Sequence, residues 1–287
     1  LASGGSEKML QIIAANLNKD IFEVTYYYCN SAPYRGSPEY KHPNTDSDRV
    51  TYMNRRGVHL VEFHVGVKDI TTPTHIWRET DFWEKFREDD YDLIQTVRAG
   101  HKEYPFTHIR KTPIIEILGL QAGADNQTNI ARSLHISREN VHAWLRAGGD
   151  ESRVELVSLP IEMQDTGAES LREELGLSPD VFVYGMHQRA DENIFSPIPL
   201  LAYKQIESDA TAFVILGGGK RYQEQANALG LKNVRFLPSS GSSVVIERFL
   251  KTLNVFAHGR FDGEVNSQAM AEAMSFGLPI VSHTSIV

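Results

Sequence analysis

Glu264 and Glu272 stand eight positions apart in "RFDGEVNSQAMAEAMSFGLPIVSH", residues 260–283. Around them the residue types change from turn formers to helix formers and back. "NVFAHG" (254–259) reads as a strand, and "RFDGE" as a turn in which Gly263 is free to take positive φ. Asn266 or Ser267 can cap a helix over "QAMAEAMSF", which Gly277 and Pro279 stop. One acid therefore lies in a strand-to-helix loop, the other more than a turn into the helix. The amides opening that helix, at residues 266–269, suit an anion. A diphosphate seated there accounts for both acids, one on sugar hydroxyls and the other on ribose hydroxyls. The plain alternative makes Glu264 a surface loop residue and Glu272 a solvated residue of the helix exterior.

Such a loop works only at the end of a covered strand. Eleven apolar runs qualify as strands: 21–29, 58–65, 91–97, 113–120, 131–137, 154–160, 181–187, 212–219, 233–238, 254–259 and 278–283. Most are rich in Val, Ile, Phe and Leu without strict alternation, the pattern of parallel strands covered on both faces. Helices are expected between them. Residues 6–18 place Met9, Leu10, Ile13 and Leu17 on one face, and 81–89, 137–149, 167–177, 197–208, 220–229 and 242–252 follow. Residues 30–48 read as a long loop. The alternation predicts two doubly wound α/β units with a cleft between them. The polar, proline-bearing stretch after Leu159 separates domains at 1–162 and 163–287. A Gly-rich turn opens the chain with no strand before it, and an apolar run closes it. We therefore expect a segment that lacks a first strand and a C-terminal portion.

The composition fits this reading. With 41% apolar and 23% charged residues, 287 residues suffice for a core in each half. A net charge of −8 argues against a general nucleic-acid binder, which needs a basic face. The single cysteine, Cys29, permits no disulfide within the chain and suggests a reducing, cytoplasmic setting. No apolar run is long enough to span a membrane.

Four stretches resemble one family in order along the chain. "GEVNSQAMAEAMSFGLPIV" is similar to the E-x7-E segment of retaining glycosyltransferases with the GT-B fold, the large family-four group. "GGSEKMLQIIAANL" resembles that family's N-terminal GG-x-E loop and helix. "SLREELGLSPDVFVYGMHQR" resembles the opening of its second domain, and "FVILGGGK…LKNVRFLP" its paired strands there. The resemblance covers nearly the whole chain. It is strongest over 171–283 and weak over 30–90.

The resemblance implies roles residue by residue. Glu264 would hold the donor sugar hydroxyls and Glu272 the nucleotide ribose. Arg189 would neutralise the diphosphate and stabilise the leaving group. Gly4 and Gly5 would let backbone approach the donor and acceptor. Leu237 and Pro238 would meet the base, and Asn266 and Ser267 would contact phosphate or sugar, or cap the helix. Three departures stand out. The family's lysine five residues after the arginine is Ile194 here. Its Gly-Phe-Gly after the first glutamate is Val265-Asn266-Ser267. Where the family has a histidine facing the donor sugar, the matching places hold Gln95 and Val97, and His101 follows a few residues later as a crevice candidate with Arg98. Arg98, Arg260 and Lys220 read chiefly as surface charges.

Other chemistries find no motif. There is no phosphate loop, no dinucleotide fingerprint and no nucleophile elbow. "TDSD" (45–48) has metal-grip spacing at Asp46 and Asp48 but reads as a loop or helix cap. His64 and His75 are isolated. No metal and no cofactor are expected beyond a nucleotide-diphosphate sugar as donor. The implied activity is sugar transfer to an acceptor hydroxyl with retention, in polysaccharide or glycoconjugate biosynthesis. The acceptor would be a glycan, a lipid-linked compound or a small molecule, with no nucleic acid partner. The resemblance allows docking at a membrane surface, although no strongly basic amphipathic stretch supports it. The rival readings are an inactive sugar-nucleotide or glycan-binding protein and a GT-B epimerase.

Overall fold

The computed structural model describes residues 5–29, 47–63, 80–103, 105–119, 123–163, 165–188, 194–260 and 267–283. The chain separates into two compact units, Leu1–Pro160 and Ile161–Val287.

In the first unit, α1 (Gly5–Asn16), β1 (Thr25–Cys29), α2 (Ser47–Arg55), β2 (His59–Phe63) and α3 (Phe82–Lys85) precede β3 (Ile94–Arg98). Then come β4 (Ile114–Leu118), β5 (Ile130–His135), α4 (Arg138–Arg146) and β6 (Val154–Leu156). β1 and β2 form a two-stranded parallel sheet, while β3-β4-β5-β6 form a second, also parallel. α1 buries Met9 against Ile117 and Ile136, which line one face of the larger sheet. Tyr27 of β1 meets Phe82, Phe86 and Tyr91 edge-on, and its hydroxyl lies 2.6 Å from that of Tyr91.

The second unit runs β7 (Phe182–His187), α5 (Ile198–Ile206), β8 (Thr211–Leu216), α6 (Lys220–Ala228) and β9 (Val234–Leu237). It continues with α7 (Ser243–Thr252), β10 (Val255–His258), α8 (Gln268–Ser275) and β11 (Ile280–Ser282). Its five strands lie in the order β11-β10-β7-β8-β9, all parallel. Two apolar clusters cover the two faces. One joins Val183, Val214 and Leu216 to Phe249 and Phe256, and the other joins Met186, Phe213 and Ile215 to Leu200 and Tyr222. Near-continuous apolar strands are what such double coverage demands.

All eleven expected strands form, each within a few residues of its predicted bounds. Two helical expectations change, and one helix forms where none was expected. Residues 167–177 make only a turn, because their backbone amides are claimed from outside. Glu247 accepts from the amides of Thr166 and Ala168, and the Thr252 hydroxyl from that of Leu171. Arg172 then fixes the turn through the Val181 carbonyl and Asn254. The stretch 81–89 breaks after α3, where Phe86 and Arg87 are extended. α2 forms beyond the expected loop, although its apolar content is low, by burying Met53 against Ala14, Ala15 and Val58. Asp48 stands in its first turn, where a carboxylate suits the helix dipole.

Candidate functional site

In the second unit the sheet reverses its winding at β7. The strands after β7 run outward through β8 and β9, whereas β10 returns to its other side. Ligands bind outside the carboxyl ends of strands at such a switch point. β7 ends there at His187 and β10 at His258, so the segments that follow, toward Arg189 and toward Glu264, leave from adjacent strands. Gly4, Arg189, Glu264 and Asn266 themselves lie outside the described residues, as do Asp46, His64 and His75.

Glu272 is the described residue that stands out at this edge. It is 1% exposed on α8, which excludes the solvated-exterior reading. A buried carboxylate needs donors or a counter-charge. His187 brings Nε2 to 3.3 Å from Glu272 Oε2. The imidazole is held edge-on by Phe249 of α7 and Phe256 of β10, with centroids at 5.9 and 5.7 Å. Below the loop, the Ser267 hydroxyl accepts from the Met270 amide at 3.3 Å and caps α8. Accepting that bond does not use the hydroxyl's own proton, so capping and ligand contact are chemically compatible. The two amides ahead of Met270 are those a helix start leaves without intrahelical acceptors.

The remaining positions at this edge divide by what they touch. The side-chain amide of Gln188 is buried without a hydrogen-bond partner. Gly217 has φ +114°, and a Cβ there would stand 2.0 Å from the Gln188 carbonyl oxygen, so only glycine lets these two strand ends approach. Leu237 ends β9 with its carbonyl accepting from the Gly217 amide at 3.0 Å, and Pro238 beyond it is exposed. Ile194, in the place of the family lysine, is buried among Met186, Phe195 and Leu200. Its side chain belongs to the core. Lys220 is an exposed charge near Glu224, and Arg260 pairs with Phe195 in an antiparallel bridge.

The first unit has its own edge at the ends of β3, β4 and β5. Here Arg98 is no surface charge; its side chain is fully buried. It donates to Asp125 at 2.8 Å, to Glu103 at 2.9 Å and to the His101 carbonyl at 2.6 Å. It also lies 3.2 Å from Glu116 and over the Phe106 ring. Burial alone would lower the Arg98 pKa, but its hydrogen bonds to Asp125 and Glu103 and the charge of Glu116 raise it. Arg98 thus clamps the loop that carries His101, whose side chain is exposed. Gly100 in that loop has φ +88°, and a Cβ on it would meet the Gly123 carbonyl at 2.4 Å. Gly5 begins α1 with open space where a Cβ would stand. Nothing in the described residues therefore requires glycine there.

Sequence reasoning passed over His187, Gln188 and the burial of Arg98. For His187 a signal existed. It shares strand parity with Val183 and Gly185, and so faces the helices that carry Phe249 and Glu272. For Arg98 the signal was long-range, since Asp125 is 27 positions away. Among the described residues no three His, Cys, Asp or Glu side chains gather as a metal site, and no helix is long and apolar enough to cross a membrane.

No protein-family model and no curated sequence matches the chain. Solved structures do. HepE (Alr3699) of Anabaena, crystallised with UDP and glucose, is 18% identical with a TM-score of 0.68, over 98% of this chain and 78% of its own. A glycosyltransferase of Rickettsia africae is 12% identical with a TM-score of 0.67, over 98% and 76%. WaaG, a glycosyltransferase involved in lipopolysaccharide biosynthesis, is 12% identical with a TM-score of 0.64, over 97% and 77%. At these identities the likeness is one of fold. The chain carries the GT-B fold of these glycosyltransferases, two Rossmann-like α/β domains built on parallel sheets.

Proposed function

We propose that the protein is a glycosyltransferase that moves a sugar from a nucleotide-diphosphate donor to an acceptor hydroxyl with retention of anomeric configuration. The observation that carries this reading is Glu272, buried at the switch point of the second unit beside a capped helix start. In this reading Glu272 accepts from the ribose hydroxyls and Glu264 from those of the donor sugar. The diphosphate sits against the opening turn of α8, with Asn266 and Ser267 as donors. Breaking the sugar–phosphate bond puts growing negative charge on the diphosphate, which Arg189 and the helix amides stabilise. Ile194 supplies no cation, so the neutralising load on Arg189 is larger than in the family pattern. Leu237 and Pro238 flank the base, and Gly4 and Gly5 give the ligands room. His101, exposed on its clamped loop, is the first unit's candidate for a part in the reaction. No metal or cofactor is assigned a part.

The acceptor is a glycan, a lipid-linked compound or a small molecule, and the setting is polysaccharide or glycoconjugate assembly in the cytoplasm or at a membrane surface. HepE holds UDP-glucose in a similar fold, so UDP leads the test. Calorimetric titration with UDP, GDP and ADP should give base-selective binding that Arg189→Ala weakens by tenfold or more, on the order of a charge-assisted contact. Absence of binding by all three diphosphates would refute the reading. The buried Ile194 also favours a second reading, a sugar-nucleotide-binding protein without turnover. Donor hydrolysis or transfer by the wild-type protein, lost in Arg189→Ala, separates the two.

A further inference from the structure

We infer that Gln188 is a specificity-determining residue of this site, its side-chain amide reading the hydrogen-bonding edge of the donor's base. This role rests on the nucleotide donor proposed above, whereas the isolation of the amide is a feature of the fold itself.

Gln188 follows the last residue of β7 and continues its ladder, donating its backbone amide to the Leu216 carbonyl at 3.1 Å. It shares strand parity with Tyr184 and Met186, and so stands on the sheet face that α5 and α6 cover. Both polar atoms of its side chain, Oε1 and Nε2, are shut off from solvent with no hydrogen-bond partner. The neighbouring groups explain why. The adjoining strand end carries Gly217 and Gly218, which have no side chain to offer. The polar groups at the starts of the two covering helices are already engaged. Tyr222 donates to the Ser196 carbonyl at 3.1 Å, and the Ser196 hydroxyl accepts from the Ile198 amide at 3.2 Å. Met186, Phe195 and Ile215 supply apolar surface. A buried primary amide in such a place leaves donors and an acceptor unmet at once, which is costly. An apolar residue of the same shape would avoid that cost, so a ligand accounts for the amide better than packing does.

Strand order sets which part of a ligand reaches it. The strands lie β10-β7-β8-β9, with Glu272 beside the end of β7 and Leu237 at the end of β9. Neighbouring strands are about 4.8 Å apart. A nucleoside with its ribose at Glu272 and its base at Leu237 therefore crosses the ends of β7 and β8, where Gln188 and Gly217 stand. Gly217 puts no side chain in its way. Gln188 as a whole residue is partly exposed, so rotation of its side chain brings the amide from beneath this edge to the base. There an N–H donates to a ring carbonyl or ring nitrogen, and Oε1 accepts from a ring or exocyclic N–H. The bases differ in where they place that pair, which makes the contact selective.

The test measures the affinities for UDP, GDP and ADP, and the melting temperature, of the wild-type protein and of Gln188→Met. Methionine keeps the length of the side chain and removes its hydrogen-bonding amide. The wild-type protein should separate its best from its worst diphosphate by about tenfold or more, the worth of one or two hydrogen bonds. Gln188→Met should bring the three affinities to within about threefold of one another, chiefly by weakening the best. It should also melt a few degrees higher, because it no longer buries an unmet amide. Equal weakening of all three diphosphates would mark a packing role and overturn the inference. So would a wild-type protein that binds all three alike, or a variant that keeps the wild-type selectivity. A lower melting temperature for Gln188→Met would overturn it as well, since the amide would then be satisfied within the fold. Binding of none of the three by the wild-type protein refutes the nucleotide reading itself, an outcome distinct from selective binding that the variant retains.

Discussion

The two units solve the burial of a parallel sheet in opposite ways. In the second unit both faces of the sheet are apolar, and its buried carboxylates, Glu247 and Glu272, project from helices. Glu247 is met there by Lys251, Thr166 and the Ala168 amide. In the first unit one sheet face is apolar, under α1, while the other carries a polar row. Thr96 and Arg98 of β3, Glu116 of β4, and Ser133 and His135 of β5 share strand parity and are all buried. Apolar faces tolerate volume-conserving exchange. A buried ionic row does not, because each partner removed leaves a desolvated group behind. Stability of the first unit should therefore be the more sensitive to single polar changes and to pH. The chain is convenient for testing this, since Trp77, Trp83 and Trp144 all lie in the first unit.

Arg98→Met should produce the largest effect. It leaves Glu116 and Asp125 buried without their cation, a loss of ~3–5 kcal/mol by the usual cost of breaking a buried pair. Urea unfolding followed by tryptophan fluorescence should show the midpoint falling accordingly. Ile215→Val in the second unit should cost only ~0.5–1.5 kcal/mol, visible in circular dichroism and silent in tryptophan emission. Equal shifts for the two substitutions would dissolve the contrast.

His135→Leu should act in the opposite direction. Both ring nitrogens of His135 are buried without a hydrogen-bond partner, as is Nε1 of Trp144 against its ring. An unmet buried polar group costs ~1–3 kcal/mol, so an apolar replacement of similar volume should stabilise by about that amount. Burial holds the imidazole below the usual histidine pKa. The unfolded chain thus takes up the proton first. The contribution of the neutral ring is complete above about pH 6.5 and is lost as pH falls through the folded value. The leucine variant should lack this acid limb between pH 7 and 5. Unfolding midpoints that run parallel for the two proteins over that range would contradict it.

Much of the fold was legible because it is written locally. Apolar runs such as "AFVILGGG" announce a covered strand, and the Gly stops and Ser137 cap bound their helices without outside help. The two changed helices and the unexpected one were decided at long range, by Glu247 claiming the amides near Thr166, by the stacking of Phe82 on Phe86 and by Met53 finding its pocket. The site divides similarly. The Ser267 cap was legible from local sequence, whereas spacing left Glu272 with two readings and only its burial removed the solvated one. His187 needed its strand neighbours, and Arg98 needed Asp125, before either had a meaning.

Glu116→Gln should have the smallest effect, and for that reason it sharpens the comparison most. Arg98 is shared among Asp125, Glu103 and Glu116, so removing one acid leaves it paired, whereas removing Arg98 orphans the acids. Burial raises the pKa of Glu116 even against the Ser133 hydrogen bond and the Arg98 charge. A carboxyl whose folded pKa lies above its unfolded one adds its full stability below the unfolded value, and that contribution is lost as pH rises through the folded value. At neutral pH the charge on Glu116 is thus a net burden, and a neutral amide of the same shape keeps an oxygen to accept from Ser133 at 2.6 Å. The change at pH 7 should stay within about 1 kcal/mol, far below that of Arg98→Met. Because only the wild-type side chain ionises, the variant should gain on it as pH rises from 4 to 7. If Glu116→Gln instead costs as much as Arg98→Met, the row is a single obligate ion pair, and the shared-cation account of the first unit is wrong.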